Sequence, residues 1–188
     1  SDDYLVSYVR SGILDIGTND SRFMSSSNGN SYKCYTNVFQ SNSRVCYIVK
    51  KNCIMNSWER SIYDSWGVLI ANAGGCENNG FGTVLMIEPK SLYSASYKFA
   101  FANSKQYAIN FLAYLKTDFA HFMVNIRKSA HQVADFQLKW IPMFDFSKDG
   151  IKWGSSKTFY DYFGITDEEQ EIIESSFKIK VTDGTTIS

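Results

Sequence analysis

The chain has 188 residues, 44% apolar, 16% aromatic and 20% charged, so it can bury enough surface to offset the entropy of ordering, which excludes wholesale disorder. Its 19 basic residues balance 19 acidic ones, which excludes polyanion binding driven by net charge and leaves only binding driven by local clustering. One globular unit spanning 1–188 is expected, with 1–102 and 103–188 as candidate subdomains.

The chain opens on Ser1-Asp2-Asp3, with nothing resembling a signal peptide, and reads as an excised fragment of a cytoplasmic protein. From about Ser31 to Ala102, β-branched and aromatic runs alternate with Asn, Ser and Gly clusters. Strands are predicted at Tyr32–Phe39, Arg44–Lys50, Gly67–Ala71, Thr83–Ile87 and Ser96–Phe101. The polar stretches Ser25–Asn30 and Gly74–Gly80 are predicted loops. Cys34, Cys46, Cys53 and Cys76 form no CxxC pair and have no histidine near them in sequence, so buried thiols are expected rather than a zinc site.

After Asn103 the texture changes. Ser104 can cap a helix whose apolar positions Tyr107, Phe111, Leu115, Phe119, Phe122 and Ile126 recur at helical spacing. Ala108, Leu112 and Met123 give it a second apolar side, so one long buried helix is predicted as the scaffold's centre. Lys116, Asp118 and His121 within that run argue against a membrane span, and no membrane partner is expected.

Pro142 stops any helix through Leu138–Phe146, which should cross the core extended. Two short helices are expected next. The second opens on a capping box, Thr166-Asp167-Glu168-Glu169, with Ile172, Ile173 and Phe177 on one face. The fold class is therefore α+β, a strand-rich N-terminal half packed with a helical C-terminal half.

Four strings in order carry a family resemblance: Ala113–Phe119, Arg127–Gln132, Trp140–Phe146 and Phe159–Glu174. Together, over roughly Thr83 to Lys178, they resemble the C-terminal target-recognition region of bacterial restriction-modification adenine-N6 DNA methyltransferases, some of which are fused to a nuclease. The resemblance implies a reader of double-stranded DNA whose parent protein holds S-adenosylmethionine in a separate methyltransferase domain. Neither the Asn/Asp-Pro-Pro-Tyr/Phe loop nor the Gly-rich cofactor turn of such enzymes occurs here, since the only prolines are Pro89 and Pro142 and Phe81-Gly82-Thr83 leads into strand-like sequence. No catalytic, cofactor or metal residue is therefore assigned to this chain.

Two groups of residues are candidates for DNA contact. Arg44, Lys50, Lys51 and Arg60 offer charge for phosphates, beside the amides of Asn52 and Asn56. Arg127, Lys128, His131, Gln132 and Lys139 form the second group, just past the long helix and mostly inside the resembling strings. Either could be a plain solvated face. Trp58, Trp66, Trp140 and Trp153 read as core or hinge aromatics, and His121 as a structural histidine.

Two other readings stay open. One is a docking module between methyltransferase and nuclease domains. The other is a nuclease fragment in which Asp64 and Glu88 hold magnesium while Lys90 steadies the attacking water, although Pro89 favours a simple strand end. No strained nucleophile turn of the GxSxG kind is present.

Overall fold

A computed structural model describes residues 4–10, 15–40, 43–72, 80–126 and 135–182. In chain order these form β1 (Val9–Arg10), β2 (Ser31–Gln40), β3 (Ser43–Val49), α1 (Ser57–Tyr63), β4 (Trp66–Ala71), β5 (Val84–Ile87), β6 (Ser91–Tyr93) and β7 (Tyr97–Ala102). The helices α2 (Lys105–Leu115), α3 (Asp118–Asn125), α4 (Asp135–Leu138), α5 (Ser156–Phe163) and α6 (Asp167–Thr182) follow. The fold is α+β, and all five predicted strands are present as β2, β3, β4, β5 and β7.

β4 and β7 set the architecture because they are apolar on both faces. They lie at the centre of an antiparallel sheet of order β1-β7-β4-β5, and successive side chains of a strand point to opposite sides. Val68, Ile70, Ala100 and Ala102 enter one core with α2, α3, α5 and α6. Leu69, Ala71, Tyr97 and Phe99 enter a second core with the other sheet, of order β3-β2-β6. The result is three layers: helices, central sheet and outer sheet. Burying Phe99 alone, 1% exposed, contributes about 3 kcal/mol.

The outer sheet alternates as a half-buried sheet should. Cys34 and Cys46 face each other across β2 and β3 with no exposed surface, as Ile48 does further along, while Lys33 and Tyr35 take the outer positions of β2. The thiols of Cys34, Cys46 and Cys53 are buried and free; Cys76 lies outside the described residues. β6 joins β2 in parallel after the chain crosses from the central sheet through the Pro89-Lys90 turn. A buried knot of hydroxyls, with Ser94 Oγ donating to Thr36 Oγ1 at 2.9 Å, ties the start of β7 to β2.

The single long helix expected between Ser104 and Ile126 is two helices. Thr117, extended at φ −73° and ψ 151°, donates its hydroxyl to the Tyr114 carbonyl at 2.7 Å and accepts from the Ala120 N–H at 3.2 Å. One side chain thus closes α2 and caps α3, a local alternative to continuous helix that threonine favours. The apolar periodicity survives the break, since Phe111, Leu115 and Phe119 are all buried in the same core. Tyr114, also fully buried, anchors the extended crossing by donating to the Pro142 carbonyl at 2.9 Å.

Thr166 and Glu169 make the predicted capping box: the Thr166 N–H donates to Glu169 Oε2 at 2.9 Å and the Glu169 N–H to Thr166 Oγ1 at 3.3 Å. α6 is longer than the short helix expected there. Ile173 is buried, but Ile172 is 64% exposed, so the expected common face does not hold; the Phe177 side chain lies outside the described residues.

The loop before β2 is held by charge. Arg22 Nε and Nη2 donate to the two oxygens of Asp20 at 2.8 and 2.7 Å, and this fork pulls the carboxyl from 3.8 to about 2. Because the folded value lies below the unfolded one, the stabilisation is complete above 3.8 and disappears as pH falls through about 2. Asp20→Asn should therefore flatten that acid limb in a profile of Tm against pH.

Candidate nucleic-acid interface

Two tyrosines organise the cations at the end of the outer sheet where β2 begins and β3 ends. Tyr32 and Tyr63 meet edge to face, centroids 5.1 Å apart. Lys50 Nζ lies 5.4 Å from the Tyr32 centroid, while Arg60 Cζ and Lys90 Nζ lie 5.5 and 5.2 Å from that of Tyr63. Cations over ring faces are attracted by the ring quadrupole, so these long side chains are steered into place. Lys51 is exposed beside Lys50 in the short 3-10 turn that follows β3.

Local structure explains why Arg60 and Lys90 converge. Asn56 opens α1 with a capping box, its side chain accepting from the Glu59 N–H at 2.8 Å while Glu59 accepts from the Asn56 N–H at 2.9 Å. Arg60 then falls one turn along. Lys90 sits in the left-handed region, φ +69°, held by its N–H donating to the Tyr63 carbonyl at 2.7 Å. Its ammonium also pairs with Asp64 at the C-terminal end of α1.

A second group flanks the first. Lys33 Nζ donates to Glu88 Oε1 at 2.5 Å and Tyr35 donates its hydroxyl to Glu88 Oε2 at 2.8 Å. Partial burial pushes the Glu88 carboxyl up, but Lys33 and Tyr35 outweigh it and hold the group below its usual value. Across the face, Lys33, Lys50, Lys51, Arg60 and Lys90 stand against Glu59, Asp64 and Glu88, an excess of two positive charges on an otherwise neutral chain.

The sequence-based candidates are redistributed. Lys50, Lys51 and Arg60 share the face, but Arg44 does not: six residues back along β3, roughly 20 Å away, it donates to Asn37 Oδ1 at 3.4 Å and to Thr83 Oγ1. The Asn56 amide oxygen serves the helix cap rather than a base edge, and the Asn52 side chain lies outside the described residues. Arg127, Lys128, His131 and Gln132 also lie outside them. Lys139 is exposed just after α4, in the helical layer on the other side of the central sheet.

Lys33, Tyr32 and Tyr63 join the face without having been singled out, and Lys90 joins it after being weighed only for nuclease chemistry. The alternation of Lys33 and Tyr35 on β2 was the available signal. Of the nuclease candidates, Lys90 pairs with Asp64 while both oxygens of Glu88 are engaged elsewhere. Among the described residues no group of three or more His, Cys, Asp or Glu side chains could hold a metal ion.

Other expectations meet their surroundings here. His121 lies edge-on to Phe81, centroids 6.2 Å apart, with Gly80 passing so close that a Cβ there would sit 2.5 Å from the imidazole Cγ. Trp153 is buried, but Trp58 and Trp140 are 50% and 44% exposed, so these two are not core aromatics.

A cleft of about 420 Å³ at the N-termini of α3 and α5 offers a contrast. Lys116 and Lys157 there are balanced by Asp118 and Glu174. Among the described residues no helix is long and apolar enough to cross a membrane. No protein-family model matches the chain and no curated protein matches it, so the reading of this face rests on its geometry and on the resemblance of the four C-terminal strings.

Proposed function

We propose that the chain is a double-stranded DNA recognition domain, with no catalytic chemistry of its own, and that the Tyr32–Tyr63 face lies against the phosphate backbone. The observation that carries this reading is the seating of Lys50, Arg60 and Lys90 on two touching tyrosine rings, with Lys51 exposed beside them. Pre-positioned cations neutralise phosphates and release counterions at reduced entropic cost. In the parent protein, a restriction-modification adenine-N6 methyltransferase, a separate domain binds S-adenosylmethionine and methylates the adenine, while this domain supplies binding energy and register.

The docking reading is favoured by a different surface. A groove of about 240 Å³ in the helical layer is lined by Phe122, Ile165, Glu169, Ile172 and Ile173. Exposed Ile172 beside it suits contact with a neighbouring domain, and the two readings are compatible because they use opposite layers.

Ultraviolet cross-linking of the chain to a duplex, followed by peptide mapping, tests the proposal. Adducts should concentrate in peptides spanning Tyr32 to Tyr63. Adducts confined to α5 and α6, or none at low salt, would overturn it.

A further inference from the structure

Ile54 is 89% exposed, more than any other large apolar side chain among the described residues. Its neighbours are not. Cys53, 5% exposed, is packed in the second core, and Met55 is half-buried against that core. The Cys53 N–H donates to the Lys50 carbonyl at 3.0 Å, and the next residue but one, Asn56, starts the capping box of α1. Ile54 is thus held out from a segment pinned on both sides, and its β-branched side chain has little rotamer freedom to lose on contact. Lys50 and Lys51 precede it, both exposed, and Arg60 follows one turn into α1.

An apolar tip held rigid between phosphate-binding cations has a specific use on duplex DNA. Side chains such as Ile can enter between adjacent base pairs from the minor groove, unstacking the step and kinking the helix. We propose that Ile54 is such a wedge, inserted at a base step while Lys50 and Lys51 hold the flanking phosphates. This deepens the DNA-recognition reading and rests on it. The charge around Ile54 selects the occupant: the residues beside it are Lys50, Lys51, Asn56 and Ser57, which suit a polyanion and offer no continuous apolar patch for a protein partner.

The test uses the whole chain and a duplex of random sequence in which 2-aminopurine replaces a fraction of the adenines, with anisotropy reporting binding and 2-aminopurine emission reporting unstacking. At saturating protein the emission should rise severalfold. Ile54→Ala should abolish the rise and Ile54→Leu should keep it, with circular dichroism showing both variants folded. Binding without a rise, or a rise that survives Ile54→Ala, overturns the wedge and leaves the DNA-binding face intact. Absence of binding at low salt overturns both.

Discussion

Gly67→Ala should destabilise the protein by about 3 kcal/mol or more, read as a fall in the denaturant midpoint at unchanged slope. Gly67 stands in β4 opposite Phe101 and Ile87, and the space a side chain would take is already filled. A Cβ there would lie 2.3 and 2.5 Å from two ring carbons of Phe99 and 2.9 Å from the Ala100 carbonyl oxygen. The ring cannot swing aside cheaply. It stacks on Tyr93 at 5.6 Å and meets Phe101 edge-on at 4.9 Å, and the carbonyl belongs to the sheet ladder itself. Because β4 and β7 serve both cores, strain at this point reaches the helical layer through Val68 and Ala100 as well as the outer sheet.

The second large effect concerns binding. Replacing Lys50, Lys51 and Arg60 together by Gln should weaken duplex binding on the order of a hundredfold in moderate salt and make its salt dependence shallower by nearly three in logarithmic slope. All three side chains are exposed, so folding should be unaffected to within about 0.5 kcal/mol each. Arg44→Gln is the control. It lies at the far end of β3, bound to Asn37 and Thr83, and should leave the slope nearly unchanged. Equal losses from the control and the triple variant would show that net charge, not this face, sets affinity.

The strands were legible because each is a short apolar run closed by turn residues, and the capping box at Thr166–Glu169 was legible because its signal is local. Two helical features were missed for the opposite reason, that a longer-range pattern hid a local one. The periodicity from Tyr107 to Ile126 suggested one helix, while Thr117-Asp118 carried the cap that divides it. Asn56-x-x-Glu59 is likewise a capping box, passed over because Asn56 was read as a base contact. β6 is only three residues long and fully buried, with no alternation to betray it.

The candidate interface was half legible for a geometric reason. Lys50 and Lys51 are adjacent in sequence and Arg60 follows closely, so local clustering found them. Lys33 and Lys90 are brought in by the parallel pairing of β2 with β6, which sets Lys33 opposite Ser91 across a long sequence gap. Arg44 was misplaced because nearness in sequence along a strand still means roughly 20 Å in space. No local pattern reports such pairings.

The account stands or falls on whether the Tyr32–Tyr63 face binds duplex DNA through its cations. The most direct measurement is a titration of the chain with a duplex oligonucleotide across a series of salt concentrations. The account predicts association at low salt whose logarithm falls with that of salt at a slope of about −3 or steeper, as expected for three or more neutralised phosphates. No association at the lowest salt, or association that salt leaves unchanged, would contradict it.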